Sequence, residues 1–369
     1  MNILLVRLRL IGDVVFTTPA VRALRRQFPE ARLTYLVETE AAPVVVDSPH
    51  LDEVIVVKRP RGWRRLASDW AIARDLRRRR FDVAIDFHSG PRSSWLTWAS
   101  GAKKRIGYDV AGRRWMYTLP VDRPRALRPR HSVENQWDVL ASLDPAFLRP
   151  PDPRRDSVEM PARLAAAHAM EERLGRLGVG REHALIVIHV SAGNPFRRWP
   201  QDFFVALAAA LVEADRQRRI IFVSGPSEAD AALRISHATR ERLGARQAHA
   251  IVSLGECDLH ELRALIAGAA LYVGGDTGPL HIAATTTVPI LGLYGPTEPI
   301  RSAPWRDPAL ITESVDVGGL PCRPCDQRRC TPGDFRCLTT LEPAVVIAAA
   351  ERALRRAEDT GHRVVKKRA

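Results

Sequence analysis

The sequence predicts an α/β protein of two similarly built domains, each a parallel sheet with crossover helices. Three observations predict it. Short apolar strand-like runs alternate with amphipathic helical stretches. The alternation stops at a segment rich in Pro, Asp and Arg, and then begins again. The length, 369 residues, suits two domains of about 100–200 residues each.

In chain order, Ile3–Val6 reads as a buried strand, followed by a loop at Ile11-Gly12-Asp13. A helix is predicted over Val14–Phe28, with Pro19 as its kink or weak point and Pro29 as its end. Arg32–Val37, Val54–Val57 and Val83–Phe87 are further strands, with a helix over Trp70–Arg80 before the last of them. The segment Asp144–Met160, containing Pro150-Pro151-Asp152-Pro153, approaches a linker. Past a helix over Ala162–Leu177 the pattern restarts with strand Ala184–Val190, helix Phe203–Glu213, strand Arg219–Ser224 and helix Glu228–Leu243. A short strand Ala250–Leu254, helix Leu259–Ala269, strand Leu271–Val273, helix His281–Thr286 and a last strand Pro289–Tyr294 complete it. The expected division is 1–165, 166–342 and a C-terminal helix with a basic tail over 343–369, the two βαβ domains facing one cleft.

Hydrophobic residues at 46% and charged residues at 27% exclude a disordered chain, a collagen and a disulfide-stapled miniprotein. The net charge is +14, and it is uneven: residues 1–170 hold 30 Lys/Arg against 19 Asp/Glu, residues 171–369 hold 26 against 23. A basic excess points to polyanions, whether nucleic acid, an anionic membrane surface or phosphorylated substrates. The run Arg77–Arg80 reads equally as a solvated helix end. No stretch reaches the ~18 apolar residues of a spanning helix, and the apolar start, broken by Arg7 and Arg9, does not read as a signal peptide. With five Cys and no oxidised scaffold, the sequence predicts a cytoplasmic protein that touches a membrane, if any, from the inside.

Neither a G-x-G-x-x-G turn nor a Walker loop follows the first strand. Gly12 there permits a tight turn. Asp13 has two readings, a helix N-cap or a carboxylate at the C-terminal edge of a parallel sheet, where α/β proteins keep catalytic groups. A second loop, Gly274-Gly275-Asp276-Thr277-Gly278-Pro279-Leu280-His281, joins a strand to a helix and suits a phosphate, although a tight turn uses the same residues and a helical His is often structural. The third loop runs from His189 through Ser191 and Asn194 to Arg197-Arg198-Trp199-Pro200, with Arg suited to phosphate. The fourth is Ser224–Glu228, whose Glu228 is placed to accept from ribose hydroxyls. Three polar strand-end loops in one domain converge on a nucleotide diphosphate.

Together these residues resemble glycosyltransferase family 9, best known for ADP-heptose:lipopolysaccharide heptosyltransferases. The resemblance rests on Arg7–Val15 with Thr18-Pro19-Ala20, Phe81–Phe87, Arg92-Ser93, Arg105–Tyr108, Arg130-His131, the His189 loop, Asp276-Thr277-Gly278 with His281, and Tyr294–Thr297, over residues 3 to 340. It implies a GT-B fold of two Rossmann-like domains, the N-terminal one holding acceptor and the C-terminal one the nucleotide sugar. It implies an inverting transfer of heptose from ADP-heptose to the inner core of lipopolysaccharide, on Kdo-lipid A or a first heptose. Asp13 would be general base and no metal would take part in catalysis. Donor contacts would come from Ser191, Arg197, Glu228, Asp276, Thr277, Gly278 and His281, although many members have Lys where this chain has Arg197. Acceptor contacts would come from Gly12, Arg92, Lys103, Lys104 and Arg105. The expected partners are an ADP-sugar, a phosphorylated lipid-linked saccharide and the inner-leaflet surface, with the chain a monomer and its terminal helix returning to the first domain. Alternatives are another sugar nucleotide, or a capsule, O-antigen or protein acceptor. A nucleic-acid-binding protein is the remote one, since the basic runs lack interleaved aromatics.

Four of the five cysteines, Cys322-x2-Cys325-x4-Cys330-x6-Cys337, fall within 16 residues. This spacing predicts a structural zinc or, less well, an iron–sulfur cluster. Reduced thiols ordering a loop, or a disulfide pair, are the other readings. Cys257 stands apart as a small core residue.

Overall fold

Unbroken apolar strands need cover on both faces, and they receive it in two units, Met1–Pro161 and Ala162–Ala369. A computed structural model describes the chain apart from residues 61, 63, 123–129, 191–192, 324, 326 and 361–369.

The first unit runs β1 (Asn2–Val6), α1 (Ile11–Val15), α2 (Thr18–Gln27), β2 (Arg32–Glu38), β3 (Glu53–Val57), α3 (Arg64–Arg78), β4 (Val83–Asp86), α4 (Pro91–Ala99), β5 (Lys104–Tyr108), β6 (Leu119–Val121) and α5 (Ser132–Ala141). All six strands are parallel, in the order β3-β2-β1-β4-β5-β6. The second unit runs α6 (Leu164–Arg176), β7 (Ala184–His189), α7 (Gln201–Ala214), β8 (Arg218–Val223), α8 (Ala229–Gln247), β9 (Ile251–Val252), α9 (Leu259–Ala267) and β10 (Leu271–Gly275). It continues through α10 (Gly278–Ala283), β11 (Ile290–Tyr294), α11 (Pro299–Ser302), β12 (Thr312–Asp316), α12 (Arg336–Thr339) and α13 (Pro343–Asp359). Its sheet order, β12-β11-β10-β7-β8-β9, is the same winding: the unit's first strand lies centrally and the fourth pairs with it. This is the doubly wound Rossmann order, which opens a crevice where the winding reverses.

Several expectations change. The single helix over Val14–Phe28 is two helices, and Pro19 occupies the first turn of α2, where its missing N–H costs nothing, instead of kinking one long helix. Helix α3 begins at Arg64, ahead of Trp70. Strands β5, β6 and β12 are additional; β12 is the polar edge strand TESVD and β6 is a three-residue edge strand containing Pro120.

The terminal helix lies in the second unit. The face of α13 formed by Val346, Ala349, Ala350, Ala353 and Leu354 belongs to the core of the second unit, with Ile186, Ile188, Val273 and Leu291. Arg218 on β8 pairs with Glu351 of the helix, one N–H···O bond measuring 2.9 Å. Its apolar face is therefore buried on its own unit's sheet. The basic tail lies outside the described residues.

Gly107 on β5 is sterically required. A Cβ there would stand 2.4 Å from the Tyr117 ring, which is buried and anchored by its hydroxyl to Asp86 and Ser94 at 2.8 and 2.7 Å. Gly107→Ala is expected to lower unfolding free energy by about 1–3 kcal/mol through overpacking. Urea denaturation reads this as a lower midpoint; an unchanged midpoint would mean the ring has room to move.

Candidate functional site

In the first unit, β1 and β4 are the strands flanking the reversal of winding. The chain leaves β1 at Val6 and enters α1 at Ile11, which places Arg7 and Asp13 just beyond the strand end. Arg7 is nearly buried. Its guanidinium donates to the Phe87 carbonyl beyond β4 at 2.8 Å and pairs with Asp13 Oδ2. Arg7 thus bridges both strand ends and holds the carboxylate.

Asp13 lies inside the first turn of α1, while Leu10 is the N-cap residue. The N-cap reading therefore fails, and Asp13 remains 36% exposed at the side chain with one oxygen against a cation. Gly12 is buried and accepts from the Phe16 N–H at 3.0 Å, so its part is to close the turn. Neighbouring carboxylates are occupied. Asp86 is fully buried, accepts from the N–H groups of His88 and Ser89 at 2.9 Å and from Tyr117, and burial nevertheless pushes its pKa up. Glu38 is paired with Arg92 at 2.5 Å.

In the second unit, β7 and β10 flank the reversal. Beyond β10, Asp276 is buried and gathers its neighbours: Thr297 Oγ1 donates to Oδ2 at 2.6 Å, Arg197 stands 3.2 Å from Oδ2, and His281 Nε2 lies 3.3 Å from Oδ1. Burial alone would raise its pKa. The His281 hydrogen bond and charge, with Arg197 and Thr297, outweigh that and hold it down to about 2. Arg197 also donates to the Asp276 carbonyl at 2.7 Å and to Gln327 Oε1 at 2.8 Å, an oxygen shared with Asn194 Nδ2 at 2.9 Å. Thr277 is the N-cap residue of α10, Gly278 its first residue, and Thr277 Oγ1 lies 3.5 Å from His189 Nδ1 at the end of β7. Glu228, beyond β8, is paired with Arg198 at 2.9 Å. The result is an ordered, cation-bearing crevice suited to a phosphorylated ligand.

A family model described as Glycosyltransferase family 9 (heptosyltransferase) matches residues 69–333. The chain belongs to glycosyltransferase family 9. Lipopolysaccharide heptosyltransferase 3 of Escherichia coli is 26% identical over 353 residues, covering 94% of this chain and 97% of its own. Among solved structures, a family 9 glycosyl transferase from Veillonella parvula aligns with a TM-score of 0.81 at 23% identity, covering 96% of this chain and 97% of its own. An E. coli heptosyltransferase solved with ADP aligns at 0.68 and 21%, covering 96% and 100%. The fold is that of the GT-B heptosyltransferases, and the protein is a glycosyltransferase.

Within this family 9 chain, the expected basic contacts in the first unit fall elsewhere. Arg92 is a buried ion, bonded to Glu38, to Asp69 at 2.7 and 2.9 Å and to the Lys58 carbonyl at 3.1 Å, and has no surface to offer an acceptor. Lys104 opens β5 and pairs in register with Val83, the first residue of β4, whereas Asp13 follows the last residues of β1. Parallel strands put beginnings and ends at opposite edges, so Lys103 and Lys104 lie at the edge away from Asp13. The Arg105 guanidinium is bonded to the Ala102 and Met116 carbonyls at 2.8 Å. In the second unit, Ser191 lies outside the described residues. Asp276 and His281 lie within 3.3 Å of each other beyond β10.

The four clustered cysteines are free thiols lining one cavity of about 30 Å³ with Phe335 and Arg323. Among the described residues no group of three or more His, Cys, Asp or Glu is arranged to hold a metal ion. Other anchors set the loop's path: Arg323 donates to Asp316 and Thr297, Phe335 packs edge-on against Phe196 at 5.3 Å, and Leu338 lies where a Cβ on Gly295 would be, at 2.6 Å. Two of the thiols accept backbone N–H groups, Cys325 from Gln327 and Cys330 from Phe335. The segment supports Arg197 through Gln327 and the Thr297 backbone through Arg323. Arg7, Gln327 and Arg323 are residues the sequence reading left without a role, since cations and amides give no sign of their partners.

His189 supplies a pH dependence. Burial lowers its pKa from 6.5 to about 4. As pH falls below 6.5 the unfolded chain binds a proton that the folded chain refuses, so stability is full above 6.5, declines toward 4 and levels below. The loss over that interval is about 3 kcal/mol. His189→Gln is expected to flatten that part of the urea-midpoint profile; a profile parallel to wild type would exclude His189 as its source.

Proposed function

We propose that this family 9 glycosyltransferase moves heptose from ADP-heptose to the inner core of lipopolysaccharide, on Kdo-lipid A or a first heptose, in one inverting displacement. The observation that carries it is the Asp13 carboxylate, partly exposed at the reversal of winding and held there by the buried Arg7. The heptosyltransferase relatives, matched over nearly their full length, support the sugar and the acceptor class.

In this reading the first unit holds the acceptor and the second holds the donor. Asp13 accepts the proton of an acceptor hydroxyl as that oxygen attacks the anomeric carbon. The bond from that carbon to the β-phosphate oxygen breaks, its electrons leave with ADP, and configuration inverts. Arg197 and the Thr277-Gly278 turn offset the charge of the departing diphosphate. Arg in place of Lys at 197 keeps that charge and adds the fork that reaches Gln327 and Asp276 together. A double displacement would want a second, free carboxylate beside Asp13; Asp86 and Glu38 are already bonded to their neighbours. Among the described residues no helix is long and apolar enough to cross a membrane, and we place the protein at the cytoplasmic face of the inner membrane, where its lipid-linked acceptor is made.

An ADP-release assay with ADP-heptose and a Kdo-bearing lipid acceptor tests this. Asp13→Ala is expected to lower kcat about 10²–10⁴-fold while ADP binding is retained. Arg7→Met, which removes the clamp and leaves the base, should lower kcat with ADP affinity unchanged. Full turnover by Asp13→Ala would remove Asp13 as the base, and turnover only with another sugar nucleotide would reassign the donor.

A further inference from the structure

Four tryptophans form one continuous strip on the outside of the first unit. Trp70 of α3 packs edge-on against Trp95 of α4, with centroids 5.6 Å apart. Trp98 lies three residues farther along α4, hence on the same side of the helix, and packs edge-on against Trp115 at 5.6 Å. Trp95 is partly buried and rests on the core of that unit, so the strip is fixed to the sheet rather than free to fold inward. Yet Trp70, Trp98 and Trp115 remain 67%, 41% and 61% exposed. Three large exposed aromatics in one strip are more than ordinary surface scatter. Beside Trp115 a hollow of about 510 Å³ opens, with Arg114 and Tyr117 on its wall.

Exposed cations border this strip. Arg74, Arg77 and Arg78 are exposed on the last turns of α3, and Lys103 and Lys104 are exposed between α4 and β5. Arg77 reaches the α4–β5 connection, its guanidinium lying against Gly101. The nearby carboxylates are paired: Asp69 with Arg92, Asp75 with Arg79, Asp109 with Arg114, and Asp82 with Lys103 at 4.0 Å across solvent-exposed side chains.

We propose that this strip is the docking surface for an anionic phospholipid bilayer. Tryptophan has an apolar body and a polar N–H, which suits it to the headgroup boundary, and neighbouring cations add attraction to lipid phosphates. Single-stranded nucleic acid also binds aromatics among cations, but through open ring faces; here the rings pack edge to face, at 77° and 68°. The choice of a bilayer rests on the lipid-linked acceptor proposed above, although the binding itself requires no sugar nucleotide and is tested without one.

The test is flotation of the full-length protein with vesicles of phosphatidylglycerol and phosphatidylcholine, against phosphatidylcholine alone, at low and high salt. Wild type should float with the anionic vesicles and be released by salt. The triple variant Trp70→Ser/Trp98→Ser/Trp115→Ser should bind about tenfold or more weakly, since apolar contact and charge act together, while retaining ADP binding and turnover on a delipidated, water-soluble acceptor. If that variant misfolds, Arg77→Glu/Lys103→Glu, confined to exposed cations, should weaken anionic-vesicle binding alone. The proposal is overturned if wild type ignores anionic vesicles or if folded variants bind as wild type does. It is equally overturned if the strip proves to bind an oligonucleotide in place of vesicles, or to join two copies of the chain in a dimer that the variants dissociate. Failure of vesicle binding with heptose transfer intact would leave the functional reading standing, and the converse would leave the docking surface standing.

Discussion

Everything chemically arranged in this protein follows from where each parallel sheet reverses its winding. The first strand of each unit pairs with that unit's second strand on one side and its fourth on the other, so the connections leave in opposite directions. The ends of those two strands are then unobstructed, and whatever side chains follow them face a common opening. In the first unit those positions hold Arg7, Asp13 and Phe87; in the second they hold His189, Asp276 and Thr277. Each crevice is tied across by a polar contact, Arg7 to the Phe87 carbonyl in one and Thr277 to His189 in the other. The two differ in what is left free. The first leaves a carboxylate partly exposed, whereas the second buries its carboxylate among Arg197, His281 and the Thr297 hydroxyl.

Much of this was legible in the sequence, for a definite reason. Central strands of a parallel sheet are covered on both faces and read as unbroken apolar runs, as at Ile3–Val6 and Ala184–Val190. Strand ends were legible with them, and so Asp13 and Asp276 were found. Edge strands are not covered, and β12, whose five residues include three polar or acidic ones before its final Asp, carries no such run. Pro19 misled because a proline signals both a helix break and a helix start, and only the preceding backbone decides which. At the site, residue type was legible and partnership was not. Arg92 looked like a cation available to a phosphate, yet Glu38 and Asp69, far away in sequence, converge on it. Arg7 read only as a break in an apolar start, yet it bridges the strand ends of the first crevice.

The cysteine segment shows the same limit from the opposite side. Its spacing invited a metal, because four thiols in a short segment are an economical ligand set. The path of that segment is held by Arg323, Phe335 and Leu338, each packed or bonded onto the strand-end loops of the second sheet. The thiols line the small space left beneath. Gln327 emerges from the same segment to hold Arg197 and Asn194 together. A segment placed late in the chain therefore buttresses the crevice of the second unit by hydrogen bonds.

The basic excess of the first half can now be resolved by subtraction. Arg22, Arg25, Arg26 and Arg92 lie in ion pairs with Glu159, Asp52, Asp156 and the Glu38–Asp69 couple. Each such pair removes a carboxylate along with the cation, so paired arginines cannot be the origin of a net positive charge. The excess must reside on cations outside these pairs, and among the described residues these include Arg74, Arg77 and Arg78 on the last turns of α3 and Lys104 at the entry to β5. Cations beside exposed tryptophans place charge and apolar area on one face, where a bilayer engages both at once. Screening by salt would weaken the first contribution and leave the second, which is why the two sets of variants separate them.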